Sequence, residues 1–104
     1  MNTQEFINDV LSFPEVVSLA HFEKISFRTK KKIFATLDKK NNLVCVKLSE
    51  IDQNIFHAMN AKAIYPVPNK WGKSGWTYVD ISNLERKVVY RVVRTAYNLI
   101  QTKN

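Results

Sequence analysis

The sequence predicts an α+β domain in which an antiparallel sheet of about five strands carries helices packed on one face. Two observations predict this class. The apolar residues change along the chain from helical spacing to short alternation and back, in the order helix, meander, helix, strand, helix. The chain also has 104 residues, 45% of them apolar, with only two Gly and three Pro, which is typical of one globular domain spanning residues 1–104.

The first half of the chain predicts one helix and four strands. Apolar residues at i, i+1, i+4 and i+5 predict a helix over about residues 4–12, with Thr3 as its N-cap and Pro14 as its stop. Four runs rich in Val, Ile, Phe or Thr then predict an antiparallel meander at about residues 17–22, 24–29, 33–37 and 43–48. The connections are expected at the lysine run 30–32 and at residues 38–42, where Asn and Asp favour a turn.

The second half predicts two helices around one further strand. Ser49 and Asp52 form a weak capping box for a short helix. The apolar face of that helix is expected to contain Ile51, Ile55, Phe56 and Met59. Residues 64–68 must be extended because two prolines exclude helix there, and residues 77–81 are expected to form a strand. The last helix is expected to begin at a capping box of Ser82 and Glu85 and to bury a long apolar stripe.

The positive charge of the chain is concentrated in its middle third. Residues 24–47 contain eight of the 16 Lys and Arg residues and only one of the nine carboxylates, Asp38, so this segment carries the whole formal net charge of +7. A local excess of this kind attracts polyanions such as nucleic acid or an anionic surface. A solvated face whose lysines serve solubility is the alternative interpretation.

The sequence offers little of the chemistry that an enzyme needs. His21 and His57 lie far apart in sequence and belong to no metal-binding motif, and two glycines cannot build a phosphate-binding loop. Cys45, the single cysteine, is expected to be a buried structural thiol in a reducing compartment. We therefore expect no enzyme activity, no cofactor and no metal. No apolar run is long enough to span a membrane, and residues 1–11 lack the basic flank and apolar block of a secretory signal, so we expect a soluble cytoplasmic protein with no membrane partner. We also expect it to be a monomer.

Cationic side chains on a sheet face favour a small DNA-binding module. In residues 24–29 the alternation places Lys24, Ser26 and Arg28 on the outward side, and the lysines at 30–32 would project as a wing toward backbone phosphates. The candidate nucleic-acid-binding residues are Arg28, Lys30, Lys31, Lys32, Lys39, Lys40, Lys47 and Lys73. Two alternatives remain: the basic face docks an acidic protein, or a small-molecule pocket lies between residues 71–76 and the sheet.

The segment WGKSGW, residues 71–76, contains both glycines and both tryptophans of the chain. Functionally, Trp71 or Trp76 beside Lys70 and Lys73 could stack a base or hold a phosphate. Structurally, Gly72 and Gly75 would shape a tight turn and the two indoles would close the core. The second interpretation is favoured because large aromatic residues most often lie inside.

Several segments together resemble the MmcQ/YjbR family. They are FPEV at 13–16, KKIFATLD at 31–38, VCVKLS at 44–49, KWGKSGWTYVDI at 70–81 and AYNLI at 96–100. The resemblance implies a CyaY-like fold and a double-wing DNA-binding motif, which has been proposed for members. It places the first wing at residues 29–33, where Lys30 and Lys31 replace the two glycines common in the family.

The lysines at this tip leave the register of the first hairpin open. A three-residue loop at 30–32 would pair Phe27 with Ala35, whereas the family's pairing would put Phe27 opposite Phe34. The implied fold is also similar to that of frataxin, whose first helix presents an acidic ridge, so iron binding is an alternative to DNA binding. The first helix carries only Glu5 and Asp9, and the chain is strongly cationic, so electrostatics disfavours iron.

Overall fold

The computed structural model describes residues 1–30 and 32–102. Within these residues the helices are α1 Thr3–Leu11, α2 Glu50–Met59, α3 Lys70–Lys73 and α4 Arg86–Thr102. The strands are β1 Val17–His21, β2 Lys24–Arg28, β3 Ile33–Asp38, β4 Leu43–Lys47, β5 Ile64–Pro66 and β6 Trp76–Asp80. All strand pairs are antiparallel, in the order β1-β2-β3-β4-β6-β5. The predicted α+β class is confirmed, with a sheet of six strands.

One face of the sheet forms the hydrophobic core. A row of paired residues crosses five strands on this face: Ile25, Leu37, Val44, Val79 and Ile64. Four of the five are at most 1% exposed, and Ile25 is half-buried. Apolar residues of α1, α2 and α4 belong to the same buried cluster, so these helices cover this face. No helix in residues 1–30 or 32–102 is long and apolar enough to cross a membrane.

The other side of the same strands has no such helical cover, and we call it the open face. Its central row is Ser26, Thr36, Cys45, Tyr78 and Tyr65, all paired in register and all half-buried. A second row is Lys24, Asp38, Leu43 and Asp80. Because side chains alternate along a strand, the apolar pattern that builds the core face also assigns these polar and aromatic residues to the open face.

The hairpin between β2 and β3 follows the register of the three-residue loop along its strands, but at its tip Arg28 pairs with Ile33, as in the alternative register that would place Phe27 opposite Phe34. Phe27 pairs with Ala35 and Ile25 with Leu37, which keeps the apolar row intact. Between this pair and the next, Arg28 with Ile33, the register shifts, so Phe34 is an extra residue on β3. This β-bulge lets Phe34 and Ala35 both be fully buried, and Phe34 meets the ring of Tyr97 at 5.6 Å.

The helix starts differ from the sequence predictions. Asn2, not Thr3, is the N-cap of α1, because its side chain accepts from the Glu5 N–H while the Glu5 carboxylate accepts from the Asn2 N–H. Ser82 does not cap α4. It lies in a 3₁₀ turn, Ile81–Asn83, where its N–H donates to Asp80 Oδ1, and α4 begins only at Arg86.

Helix α2 buries only one of the four residues predicted for its apolar face, Phe56. Ser49 caps it as expected by accepting from the Asp52 N–H. Its apolar stripe, however, faces outward, with Ile51 72%, Ile55 53% and Met59 50% exposed. Phe56 and Gln53 are the residues of α2 that are buried.

Candidate nucleic-acid interface

Most of the candidate cations lie at the end of the sheet where β2 ends, β3 begins and β4 ends, which we call the hairpin end. Arg28 is the exposed last residue of β2, and Lys30 and Lys32 are exposed in the connection to β3. Lys31 lies outside the described residues. Lys47 ends β4, and its ammonium group donates to the carbonyl of Ser74, which holds the loop after α3 against the sheet. Lys73 is exposed at the end of α3.

Lys39 and Lys40 lie at the opposite end of β3, in the turn to β4. The Lys39 N–H donates to the carbonyl of Glu23 at 2.9 Å, so this turn is tied to the tip of the β1–β2 hairpin. Two acidic residues lie next to these lysines: Asp38 precedes Lys39 in the chain, and Glu23 is the residue whose carbonyl accepts from Lys39. The pKa of the Asp38 carboxyl is lowered, first by a hydrogen bond from the Asn41 side chain and also by the positive charge of Lys24.

The structure therefore divides the candidate cations into two groups. Strand β3 has six residues, which places its two ends about 17 Å apart at about 3.3 Å per residue. Across the strands the distances are shorter: β2 and β4 are separated only by β3, so Arg28 and Lys47 are on strands about 10 Å apart. The residues of the hairpin end are brought together, and Lys39 and Lys40 are not part of that group.

The exposed cations of the hairpin end have no acidic partner among the described residues. Among the described residues, the ion pairs within 4 Å join Arg86 to Glu5 and Asp9, and Lys87 to Glu85, all on α1 or next to and within α4. No described carboxylate therefore lies within 4 Å of the charged groups of Arg28, Lys30, Lys32 and Lys73.

Helix α3 is held in place by tight backbone packing and one buried amide. A Cβ on Gly72 would lie 1.9 Å from the Val67 carbonyl oxygen, and a Cβ on Gly75 2.0 Å from that of Leu48. Gly75 also has a φ of 111°, which favours glycine. Gln53 Nε2 lies within hydrogen-bond distance of Gly72 O, at 3.0 Å, and of Thr77 Oγ1, at 3.0 Å. The prediction that these glycines shape a tight turn agrees with this geometry.

The indoles of Trp71 and Trp76 do not close the core. Trp71 is 56% exposed and Trp76 is half-buried. Both line a cleft of about 380 Å³ on the open face, together with Thr36, Cys45 and Tyr78. The cleft lies where the sequence placed a possible pocket, between residues 71–76 and the sheet. Thr36 and Tyr78 were not identified from the sequence, although Tyr78 alternates with buried Thr77 and Val79, which is the signal for this face.

The thiol of Cys45 lies in this cleft, whereas neither histidine of the described chain lines it. Cys45 is free and half-buried, and burial raises the pKa of its thiol to about 11. His57 lies in α2, where its Nδ1 is 2.6 Å from the Ile64 carbonyl oxygen, and His21 is exposed on β1. No three His, Cys, Asp or Glu residues of the described chain lie close enough together to hold a metal ion.

Two of the four described cations of α4, Arg86 and Arg94, make internal contacts. Arg86 donates to Asp9 Oδ1 at 2.8 Å and to Glu5 Oε2 at 3.4 Å, which joins α4 to α1. Glu5 and Asp9 are the two acidic residues of α1 that the sequence analysis weighs as candidates for binding iron, and both pair with Arg86. The guanidinium of Arg94 lies 5.0 Å from the ring centre of Phe13, a cation–π contact. Arg91 and Lys87 remain exposed on this side of the molecule.

Comparison with known proteins supports the fold. The family model described as YjbR matches residues 11–99. Among solved structures, the chain is similar to the crystal structure of Deinococcus radiodurans protein DR2400, whose description names the family-model domain DUF419. The TM-score is 0.84 at 15% sequence identity, over 98% of this chain and 80% of that chain. No curated protein gave a significant match.

Proposed function

We propose that this chain, which belongs to the YjbR family, is a non-enzymatic nucleic-acid-binding module that contacts backbone phosphates through the hairpin end of its sheet. The observation that carries the proposal is the position of the exposed cations. Arg28, Lys30, Lys32 and Lys73 have no carboxylate within 4 Å among the described residues, and they lie at one end of the face that α1, α2 and α4 leave uncovered. Lysine supplies a point charge to a phosphate without reading the base.

The aromatic cleft supports a contact with bases next to these cations. Trp71 is exposed and belongs to α3, the helix that ends at Lys73. Aromatic side chains beside a cationic groove stack bases regardless of sequence, and each stacked base contributes about 1–3 kcal/mol. A strand whose phosphates lie on the hairpin end would bring an unpaired base to Trp71.

The proposal assigns different weights to the two groups of lysines. Lys39 and Lys40 lie at the far end of β3, near Glu23 and Asp38. They add to the long-range attraction of the positively charged protein, but they are not expected to touch the phosphates held at the hairpin end. About four phosphates would then be neutralised, and log K on duplex DNA should fall with log salt at a slope of roughly −3 to −4.

A salt titration with charge-reversal variants tests this. Labelled oligonucleotides, in single-stranded and duplex form, are titrated by fluorescence anisotropy at several salt concentrations. The double variant Lys30→Glu/Lys32→Glu should weaken binding about tenfold or more and flatten the salt slope. The control Lys87→Glu/Arg91→Glu changes the net charge equally on the exposed side of α4 and should have a much smaller effect. Trp71→Ala should weaken single-strand binding and leave the duplex nearly unchanged.

Two results would contradict the proposal. If both double variants weaken binding equally, the attraction is that of the net charge alone and the hairpin end has no special role. If neither oligonucleotide binds with a dependence on salt, nucleic acid is not the ligand. Recovery of a stoichiometric acidic protein, bound in a way that Lys30→Glu/Lys32→Glu abolishes, would then assign the same surface to a protein partner.

A further inference from the structure

Strand β1 is an outer strand of the sheet that lies beyond the helical layer. All five of its residues are exposed, with Val17 58% and Leu19 66% exposed. The turn that follows it carries Phe22, which is 91% exposed and has a φ of 58°. A bulky residue with positive φ is uncommon, and so is a run of apolar side chains on an outer strand. This edge is therefore the most exposed apolar part of the sheet.

The two outer strands of the sheet differ in how well they resist pairing with another strand. Strand β5 has three residues, ends at Pro66 and is followed closely by Pro68, and proline cannot donate to a further ladder. Strand β1 has five residues, VSLAH, with no proline and no Lys, Arg, Asp or Glu. Charged residues and prolines are the usual means of protecting an edge, and β1 has neither.

The backbone of β1 can accept a further strand. In an antiparallel ladder, alternate residues direct their N–H and C=O groups toward the neighbouring strand, and the residues between them direct theirs away. The pairing of β1 with β2 therefore leaves alternate backbone groups along β1 pointing outward from the sheet. These groups are positioned for hydrogen bonds to another extended segment.

In place of the monomer expected from the sequence, we propose that β1 pairs with β1 of a second copy of this chain, antiparallel and centred on Leu19, to form a closed dimer. This register overlaps all five residues of both strands, which gives the largest number of hydrogen bonds. Leu19 then lies opposite Leu19 of the second copy, Ser18 opposite its Ala20, and Val17 opposite its His21. None of these pairs brings together two Lys, Arg, Asp or Glu side chains, so the strands meet without local charge repulsion even though the protein has a net charge of +7.

The proposed register also covers the apolar tip of the hairpin. Phe22, in the turn that follows β1, then lies near Val16, where the second copy enters its own β1, and both residues are apolar. The axis that relates two such strands is perpendicular to the sheet, because an in-register antiparallel pair keeps each side chain on its own face. The open faces of the two copies would consequently lie on the same side of the dimer.

The dimer is closed because each copy offers one unprotected edge. Once both β1 strands are paired, the outer strands of the joined sheet are the two β5 strands, which the prolines block. Growth into a fibre would need a second free edge. This inference rests on the edge of the sheet and not on the proposed nucleic-acid binding, so either can fail without the other.

Sedimentation of charged variants tests the dimer. The wild-type mass should rise with concentration from 12.1 kDa toward twice that value, at an ionic strength high enough to screen the net charge. Leu19→Lys places two like charges at the symmetric centre and should remain monomeric, and so should Leu19→Glu. An equimolar mixture of the two variants should recover the doubled mass, because Lys and Glu then face each other. Leu19 is exposed in the single chain, so neither change disturbs the core.

A matched control distinguishes β1 from another exposed apolar surface of the described chain. Ile51, on the outward stripe of α2, is 72% exposed, and Ile51→Lys should dimerise like the wild type. A wild-type chain that stays monomeric at all concentrations overturns the proposal. Dimerisation of Leu19→Lys, loss of the dimer in Ile51→Lys, or failure of the mixture to recover the doubled mass would each do the same.

Discussion

Ser26 and Phe27 are neighbours in β2, yet their side chains lie in different environments because they belong to opposite faces of the sheet. Phe27 is fully buried and meets the ring of Phe6 from α1 edge to face at 5.6 Å. Ser26 is half-buried in a row with Thr36 and Cys45 on the open face. The core face is covered by helices and excludes water, whereas the open face keeps its polar and aromatic groups available to a ligand.

The difference shows how one set of strands can support both stability and the binding surface that we propose. A fully buried apolar side chain contributes about 1.5–3 kcal/mol from the area removed from water. A half-buried polar side chain contributes far less, so the open face can carry exposed Trp71 and the cations beside it at a small cost in stability. Substitutions on the two faces should therefore separate folding from binding.

The largest effect on stability is expected at Phe27. The variant Phe27→Ala should lower the free energy of unfolding by about 3–5 kcal/mol, because it removes a fully buried ring and leaves a cavity. For a domain of this size, each 1 kcal/mol shifts the melting temperature by roughly 4–8 °C. Ser26→Ala, one residue away on the open face, should change the free energy by less than about 1 kcal/mol. Equal effects in thermal melts would contradict the assignment of the two faces.

An intermediate effect is expected at Gly75, where the open face meets α3. Gly75→Ala should lower the free energy of unfolding by about 2–4 kcal/mol. The alanine would have to adopt a φ of 111°, and its Cβ would lie 2.0 Å from the Leu48 carbonyl oxygen. Because the Leu48 N–H donates to Gly75 O at 3.0 Å, the loop carrying the tryptophans should shift as well.

The emission of Trp71 and Trp76 can be followed together with the denaturant midpoint of Gly75→Ala. Ser74→Ala is the matched control. It removes only the exposed hydrogen bond from Ser74 Oγ to the Trp71 carbonyl and should stay within about 1 kcal/mol of the wild type. A Gly75→Ala chain as stable as Ser74→Ala would show that the backbone tolerates a side chain there.

The strands and their two faces could be predicted from sequence because a period of two is a local signal. Strands β1 to β4 lie within about one residue of the predicted segments, and the outward position of Ser26 and Arg28 follows from the buried Phe27 between them. The register of the first hairpin could not be chosen locally. It depends on the bulge that lets Phe34 reach Tyr97, a contact with a helix that follows much later in the chain.

The site was less predictable than the fold because it depends on which elements meet. The lysine turns at 30–32 and 39–40 look equivalent in sequence, but strand β3 separates them. In α2, the apolar residues Ile51 and Ile55 face outward, whereas Gln53 is buried, because its amide bonds the backbone of α3. Such contacts between segments distant in sequence leave no periodic pattern.

The smallest effect on stability is expected at Cys45, in the centre of the open face. Cys45→Ala should change the free energy of unfolding by less than about 1 kcal/mol, because the thiol is only half-buried.

The wild-type thiol of Cys45 should react slowly with alkylating reagents. Burial raises its pKa to about 11, so at pH 8 only about one molecule in a thousand carries the reactive thiolate, against about a quarter for a free cysteine.

Alkylation with iodoacetamide measures that fraction directly. The rate should rise about tenfold per pH unit from pH 8 toward pH 11, since the thiolate population grows with pH until the pKa is reached. An exposed thiol made by Lys87→Cys in the Cys45→Ala background supplies the reference, and it should react more than about a hundredfold faster at pH 8. Nucleic acid bound over the cleft should slow the alkylation of Cys45 further and leave the alkylation rate of the reference thiol unchanged. A Cys45 that reacts as fast as the reference, with a rate that levels off near pH 9, would contradict this prediction. Solvent would then have free access to the centre of the open face, and the open face and the core face would differ less than the structure indicates.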